Sequence, residues 1–186
     1  MSRFVVDELP LPGLKRVRRR RLDDARGFLS RVFCADELSA VGWTKPIAQV
    51  NHTFTAQKGT VRGLHFQRPP HTDMKLVSCL RGAVWDVAVD VRRGSPTFLR
   101  WHAEELSADN GAALLLPEGF AHGFQALTDD VEMMYCHGAP YVAEADAGLR
   151  PTDPRLGVRW PLDVIGLSGR DAGHPLLDDT FAGITP

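Results

Sequence analysis

Tyrosine and cysteine are scarce in this chain: two of the first and three of the second among 186 residues. The cysteines, Cys34, Cys79 and Cys136, are odd in number and widely spaced, so neither a disulfide framework nor a thiolate metal motif is indicated. Long apolar runs are missing too. None reaches the roughly 20 residues that span a bilayer, and the opening MSRFVVDELPLPG has no apolar leader segment. A soluble, cytoplasmic protein with no membrane partner is the expectation. Charge of one sign does not dominate: 22 basic and 23 acidic residues leave a net charge of -1. That balance argues against a general nucleic-acid binder. No GxGxxG or P-loop motif occurs, and no His-x-His pair occurs among the 7 histidines. A histidine–carboxylate metal centre wants such a close pair and a distant third histidine. His65 and His71 stand six apart, the second in a Pro-rich loop, so no metal is expected.

What the chain does contain is strands and turns. Its length suits one domain with a real core, taken here as residues 1–186. Residues 60–67, 75–79, 83–91, 97–103, 113–116, 123–126 and 131–136 read as short strands, with Gly, Pro, Asp or Asn between them. In AVWDVAVDV, Ala83, Trp85, Val87, Val89 and Val91 share one apolar face; Asp86 and Asp90 lie on the other. Closely spaced short strands favour a sandwich or barrel over a Rossmann layout. Short helices are expected at 35–41 and near 169–172. After Pro140 the pattern becomes acidic loop and Pro-rich turns. This predicts a core barrel over about 45–140 and a C-terminal cap over about 141–186. The basic run at 15–22 is either a solvated or subunit-facing strand or an anion-binding one.

The stretch TVRGLHFQRPPH at 60–71 places Arg62 and His65 among apolar residues. In a regular strand these two point to opposite faces, unless Gly63 marks a bulge or sharp twist. On spacing alone, His65 is equally a satisfied structural histidine. Lys75 opens the apolar MKLVSCL and either blunts a strand end or serves a site. His122 sits in a glycine-flanked turn within PEGFAHGFQAL, as a ligand, a polar contact or a loop residue. Tyr135, in EMMYCH, is a core tyrosine or an active one.

Taken in order, DDARGFLSRVF, QVNHTF, GTVRGLHFQRPP, MKLVSCLRGAVWDVAVDVRRGSPTF, LLLPEGFAHGFQAL, MMY and DP…WPL resemble the RmlC-like cupin family. These are the dTDP-4-dehydrorhamnose 3,5-epimerases and related deoxysugar epimerases. The resemblance implies an all-β fold, a double-stranded β-helix (cupin or jelly-roll) barrel with short peripheral helices. It implies a homodimer with no metal or organic cofactor and a nucleotide-diphosphate sugar substrate. It also implies roles: His65 as base with Asp153 as its partner, Tyr135 as the acid on the opposite face, and Lys75 near the C4 oxygen. Arg62 and His122 would bind pyrophosphate or shape the sugar pocket, and Arg26, Gln49, Asn51 and Tyr141 would contact substrate.

The chemistry suits these residue types. A 4-keto group makes the protons on C3 and C5 removable, because the carbanion spreads onto O4 as an enolate. A neutral imidazole takes such a proton near pH 7, a carboxylate behind it fixes the tautomer, and an ammonium meets the developing oxyanion. The chain departs from the family pattern at Leu29, Arg31, Asp73, Thr53–Thr55 and Pro151–Thr152. Those departures touch substrate reading more than proton handling. The expected function is therefore epimerisation at C3, C5 or both of a nucleotide-diphospho-4-keto-6-deoxyhexose. The alternatives are a 3,4-ketoisomerase of the same fold and a non-catalytic sugar-nucleotide-binding cupin.

Overall fold

The computed structural model describes residues 2–186. Four short strands come first: β1 (Phe4–Glu8), β2 (Lys15–Arg19), β3 (Arg21–Asp24) and β4 (Gly27–Ser30), then α1 (Ala35–Ser39). The barrel strands follow as β5 (Gln49–Thr55), β6 (Val61–Gln67), β7 (Lys75–Arg81), β8 (Ala83–Asp90), β9 (Trp101–Ser107), β10 (Ala112–Leu116), β11 (Phe120–Ala126) and β12 (Val131–His137). A three-residue strand, β13 (Asp146–Gly148), and a short helix, α2 (Gly169–Gly173), complete the chain. A six-stranded sheet runs β1-β2-β10-β7-β12-β5 and a five-stranded sheet runs β13-β6-β11-β8-β9, with β3 and β4 paired apart. This is the jelly-roll arrangement that the resemblance implied.

The cores form where the sequence alternates. Val77, Cys79, Val84, Ala88, Leu106, Leu114, Phe124 and Met133 meet between the two sheets. Burying a Val, Leu or Phe side chain contributes about 1.5–3 kcal/mol each. The other face of β8 is just as dry. Val87, Val89 and Val91 pack with Leu64 and Phe66 under the C-terminal segment, against Leu149, Leu156, Trp160, Leu177 and Phe181. Both faces of β8 are therefore covered, and the one that carries Asp86 points into the barrel.

Two local readings change. Strand β9 starts at Trp101 rather than at 97. The reason is Asp90, a buried carboxylate that accepts the Ser95 and Thr97 hydroxyls, both at 2.6 Å. Those bonds tie residues 95–97 into a turn. Strand β5 has no place among the strands read from periodicity, because its polarity is inverted. Its Val50 and Phe54 are exposed, while Thr55 is buried and Asn51 and Thr53 line a cavity. The basic run does form a strand, β2, in which Lys15 pairs with Glu8, Arg16 with Asp7 and Glu104, and Arg18 with Asp7.

Candidate active site

Between the sheets lies a cavity of about 560 Å³, lined by Asn51, Arg62, His65, Lys75, His122, Tyr135 and His137. A side chamber of about 160 Å³ shares Asn51, His65, Lys75 and His137 and adds Gln49, Tyr141 and Asp146. Both sheets contribute. Arg62, His65 and His122 stand on the five-stranded sheet; Asn51, Lys75, Tyr135 and His137 stand on the six-stranded one.

Arg62 and His65 reach the same cavity because β6 is irregular. His122 pairs with His65 and Phe124 pairs with Arg62, so two steps on β11 match three on β6. The extra residue falls at Gly63 and Leu64, the bulge geometry that turns neighbouring side chains to one face. Only glycine fits there. Gly63 has φ +122°, and a Cβ on it would meet Gly123 Cα at 2.5 Å and the His122 carbonyl at 2.7 Å. Gly123 answers in kind, since its own Cβ would meet the Arg62 carbonyl at 2.5 Å.

His65 has a carboxylate partner, but it is not Asp153. Nε2 of His65 donates to Asp171 Oδ1 at 2.7 Å, and Gly63 N–H donates to Asp171 Oδ2 at 3.3 Å. Asp171 is carried by α2, whose Ser168 cap accepts the Asp171 N–H. Burial pushes its carboxyl up, yet the bonds from His65, Gly63 and Ser168 win and hold it below the ordinary value of 3.8. With Nε2–H committed to Asp171, Nδ1 is the nitrogen left to take a proton. Asp153 is also buried, but its oxygens accept backbone N–H from Arg155 at 2.8 Å and Leu177 at 2.6 Å. It stitches one loop of the C-terminal segment to another. His174 packs beside the pair, its ring over Gly148, where a Cβ would meet Nε2 at 2.2 Å. Burial lowers the His174 pKa.

The other polar groups fall into two kinds. His122 is sealed: Nε2–H is shared by both oxygens of Asp86 at 2.9 and 3.0 Å, and burial pushes the Asp86 carboxyl up. Lys75 is buried as well, and Tyr135 is partly buried. Burial pulls the Lys75 ammonium below the usual lysine range and keeps the Tyr135 phenol protonated well above the usual tyrosine range. The Tyr135 ring meets His122 edge-on at 6.0 Å and stacks on His137 at 6.1 Å.

Arg62 is oriented by Thr55 Oγ1 and the Phe54 carbonyl, to which it donates at 2.9 and 3.1 Å. Gln49 donates to Asn51 and accepts from Tyr141 N–H. Arg26 is not brought to the cavity. It lies on the β3–β4 hairpin and pairs with its neighbour Asp24 at 2.7 Å. Sequence reasoning missed Asp171 and the pair Asp73–His137. The one signal for Asp171 was Ser168 three residues ahead of an acid, a helix-start pattern.

The family model described as dTDP-4-dehydrorhamnose 3,5-epimerase matches residues 8–179. A dTDP-4-dehydrorhamnose 3,5-epimerase of Sinorhizobium fredii is 46% identical over 182 residues, covering 95% of this chain and 91% of that protein. Among solved structures, a dTDP-6-deoxy-D-glucose-3,5-epimerase of Legionella pneumophila, in complex with dTDP-4-keto-L-rhamnose, superposes with TM-score 0.91. It is 35% identical and the match covers 98% of each chain. A 3'-monoepimerase of Streptomyces bikiniensis, bound to dTDP-quinovose, gives TM-score 0.84 at 35% identity, over 90% of this chain and 85% of that one.

Proposed function

Because the chain belongs to the dTDP-4-dehydrorhamnose 3,5-epimerase family, we propose that it inverts C3, C5 or both of a nucleotide-diphospho-4-keto-6-deoxyhexose at this cavity. His65 is the base: its Nδ1 takes the proton while Asp171 holds Nε2–H and stabilises the imidazolium. Lys75 stabilises the enolate oxygen, and Tyr135 returns a proton to the other face. Arg62, His122, Gln49, Asn51 and Tyr141 hold the substrate.

The observation that carries this reading is the opposition across the cavity. His65, backed by Asp171 from α2, stands on one sheet, and a phenol kept protonated by burial stands on the other. Inversion needs a base on one face of the sugar and an acid on the opposite face. A non-catalytic cupin predicts that His65 and Asp153 are not paired, as is the case here; Asp171 takes that place at 2.7 Å, and this substitute carboxylate counts for the catalytic reading. A ketoisomerase needs proton delivery to O4 and C4 rather than an opposite-face acid, so the placing of Tyr135 favours the epimerase.

The test is incubation with dTDP-4-keto-6-deoxyglucose in deuterated water, following H3 and H5 by NMR. Exchange at one or both positions, with the inverted sugar as product, is expected. No exchange at either, where a known family member works, sinks the dTDP reading; CDP- and GDP-linked ketosugars then separate wrong base from wrong chemistry. A 3-keto product selects the ketoisomerase.

The same reading includes a homodimer in the cytoplasm. Leu22, Phe28 and Leu29 on the β3–β4 hairpin and Val50 and Phe54 on the edge strand β5 are exposed apolar side chains in one chain, the kind of surface a second copy covers. Sedimentation and cell fractionation test these two points. No helix of the described residues is long and apolar enough to cross a membrane.

A further inference from the structure

Beside Lys75 stands a carboxylate–imidazole pair that the mechanism above does not use. His137 lies opposite Lys75 in the β7–β12 pairing, and Asp73 precedes Lys75 by two residues. The Asp73 side chain is 4% exposed. Its Oδ1 accepts the Ala139 N–H at 3.1 Å, and its Oδ2 accepts Nδ1–H of His137 at 2.7 Å. The same Oδ2 stands 4.0 Å from Lys75 Nζ. Beyond His137, Asn51 Nδ2 approaches Nε2 at 3.4 Å. A chain of polar groups thus runs Asn51, His137, Asp73, Lys75, from the sheet edge to the cavity wall.

We propose that Asp73 is the counter-ion that keeps Lys75 charged for the reaction, and that His137 is the positioning residue that aims Asp73 at it. The inference rests on the function proposed above for what the charge serves. Three observations support it. Among the described residues, Asp73 is the one carboxylate within ion-pair distance of Lys75. At 4.0 Å it supplies charge without taking a hydrogen bond, so the ammonium N–H groups stay free for a substrate oxygen. The carboxylate has little freedom to turn away, because Ala139 N–H holds one oxygen and His137 the other.

The electrostatics agree. Burial drives the buried ammonium toward its neutral form, and Asp73 is the largest opposing charge, ahead of Asp146 and Asp86. The remaining titratable or charged groups that face this corner are Tyr135 on β12, His122 on β11, and His65, Tyr141 and Arg170 around the side chamber. Among the described residues, the carboxylate that combines reach to Nζ with a fixed orientation is Asp73.

The chain has four lysines, Lys15, Lys45, Lys58 and Lys75, so Lys75 can be followed by NMR of protein labelled at lysine Cε and Nζ. Asp73→Asn is expected to lower the Lys75 titration midpoint by roughly 1–3 pH units, and His137→Gln to lower it by less. Asp73→Glu keeps the charge and is expected to stay nearer the wild type. The alkaline limb of kcat/KM follows the same order. Should Asp73→Asn not fold, His137→Gln decides. A Lys75 midpoint that does not move in the folded variants overturns the inference, whatever the activity. A midpoint that moves while the alkaline limb stays put overturns the claim that the charge serves the reaction. Failure of the wild type to exchange H3 or H5 is a separate result, and it counts against the function instead.

Discussion

His65 and His122 are register partners on adjacent strands, and each gives its Nε2–H to an aspartate. The similarity ends there. The His65 side chain is 34% exposed, onto the cavity; that of His122 is 5% exposed and Asp86 is completely buried. The two carboxylates respond in opposite directions. Burial raises Asp86 despite His122, whereas hydrogen bonds from His65, Gly63 and Ser168 bring Asp171 below the ordinary value despite burial. One chemical unit thus stands in two settings. An imidazole open to the cavity can take a substrate proton and return it to water between turnovers. A sealed one, its Nε2–H spent on a buried carboxylate, is a rigid piece of wall suited to shaping the cavity rather than to moving protons.

The largest effects follow from removing the open pair. His65→Ala is expected to abolish deuterium exchange at every carbon, since the proposed base is lost. Asp171→Asn removes the group that fixes the tautomer and is expected to cost about 10²–10⁴-fold in kcat. Asp153→Asn is the matched control. It removes one of the two oxygens that accept backbone N–H in the C-terminal segment and is expected to lower Tm while leaving kcat within about threefold, as for a stabilising contact away from the chemistry. Kinetics on the two asparagine variants, each with a melting curve, measure the contrast. If Asp153→Asn lost the greater activity, the assignment of Asp171 as partner would fail.

The confusion of these two aspartates shows where sequence reasoning stops. Strand β8 was legible because period two sorts its faces, and β7, β10 and β12 because short, mostly apolar runs stand between turn residues. Arg62 and His65 could not be brought to one face by that rule; the bulge that does so depends on Gly63 and Gly123 meeting back to back across two strands. Strand β5 escaped because it lines a polar cavity, so its polar residues face in and its apolar ones out. In the C-terminal segment no period operates at all. Asp153 follows a turn and Asp171 lies in α2, and only the tertiary path of α2 past Gly63 decides which one meets His65. Asp73 drew notice as a departure, but its partner His137 lies 64 residues further along the chain.

Across the cavity, Tyr135 offers an effect of intermediate size and a different shape. Its phenol is held protonated by burial, so at neutral pH it is an acid and not a phenolate. Tyr135→Phe leaves His65 and Lys75 in place. Initial exchange into deuterated water is expected to fall only a few-fold, while formation of the inverted sugar falls about 10²-fold or more, the usual range for a lost general acid. NMR separates the two, because exchange without inversion labels the starting sugar. Equal loss of both steps would remove the dedicated acid from the mechanism.

The smallest expected effect returns to the two carboxylates, through stability. For Asp171 the folded pKa is depressed, so its charge contributes stability above the unfolded value near 3.8, lost as pH falls through the lower folded value. The Tm gap between wild type and Asp171→Asn should therefore narrow below about pH 4. For Asp86 the folded pKa is raised, so the folded state binds a proton first. Wild type should gain on Asp86→Asn as pH falls from neutral toward 3.8. A chain of this size moves roughly 2–4 °C in Tm for each kcal/mol, so both trends are within reach of a calorimeter. Parallel trends for the two variants would mean that the pairs are electrostatically alike, and that exposure of the imidazole alone sets them apart.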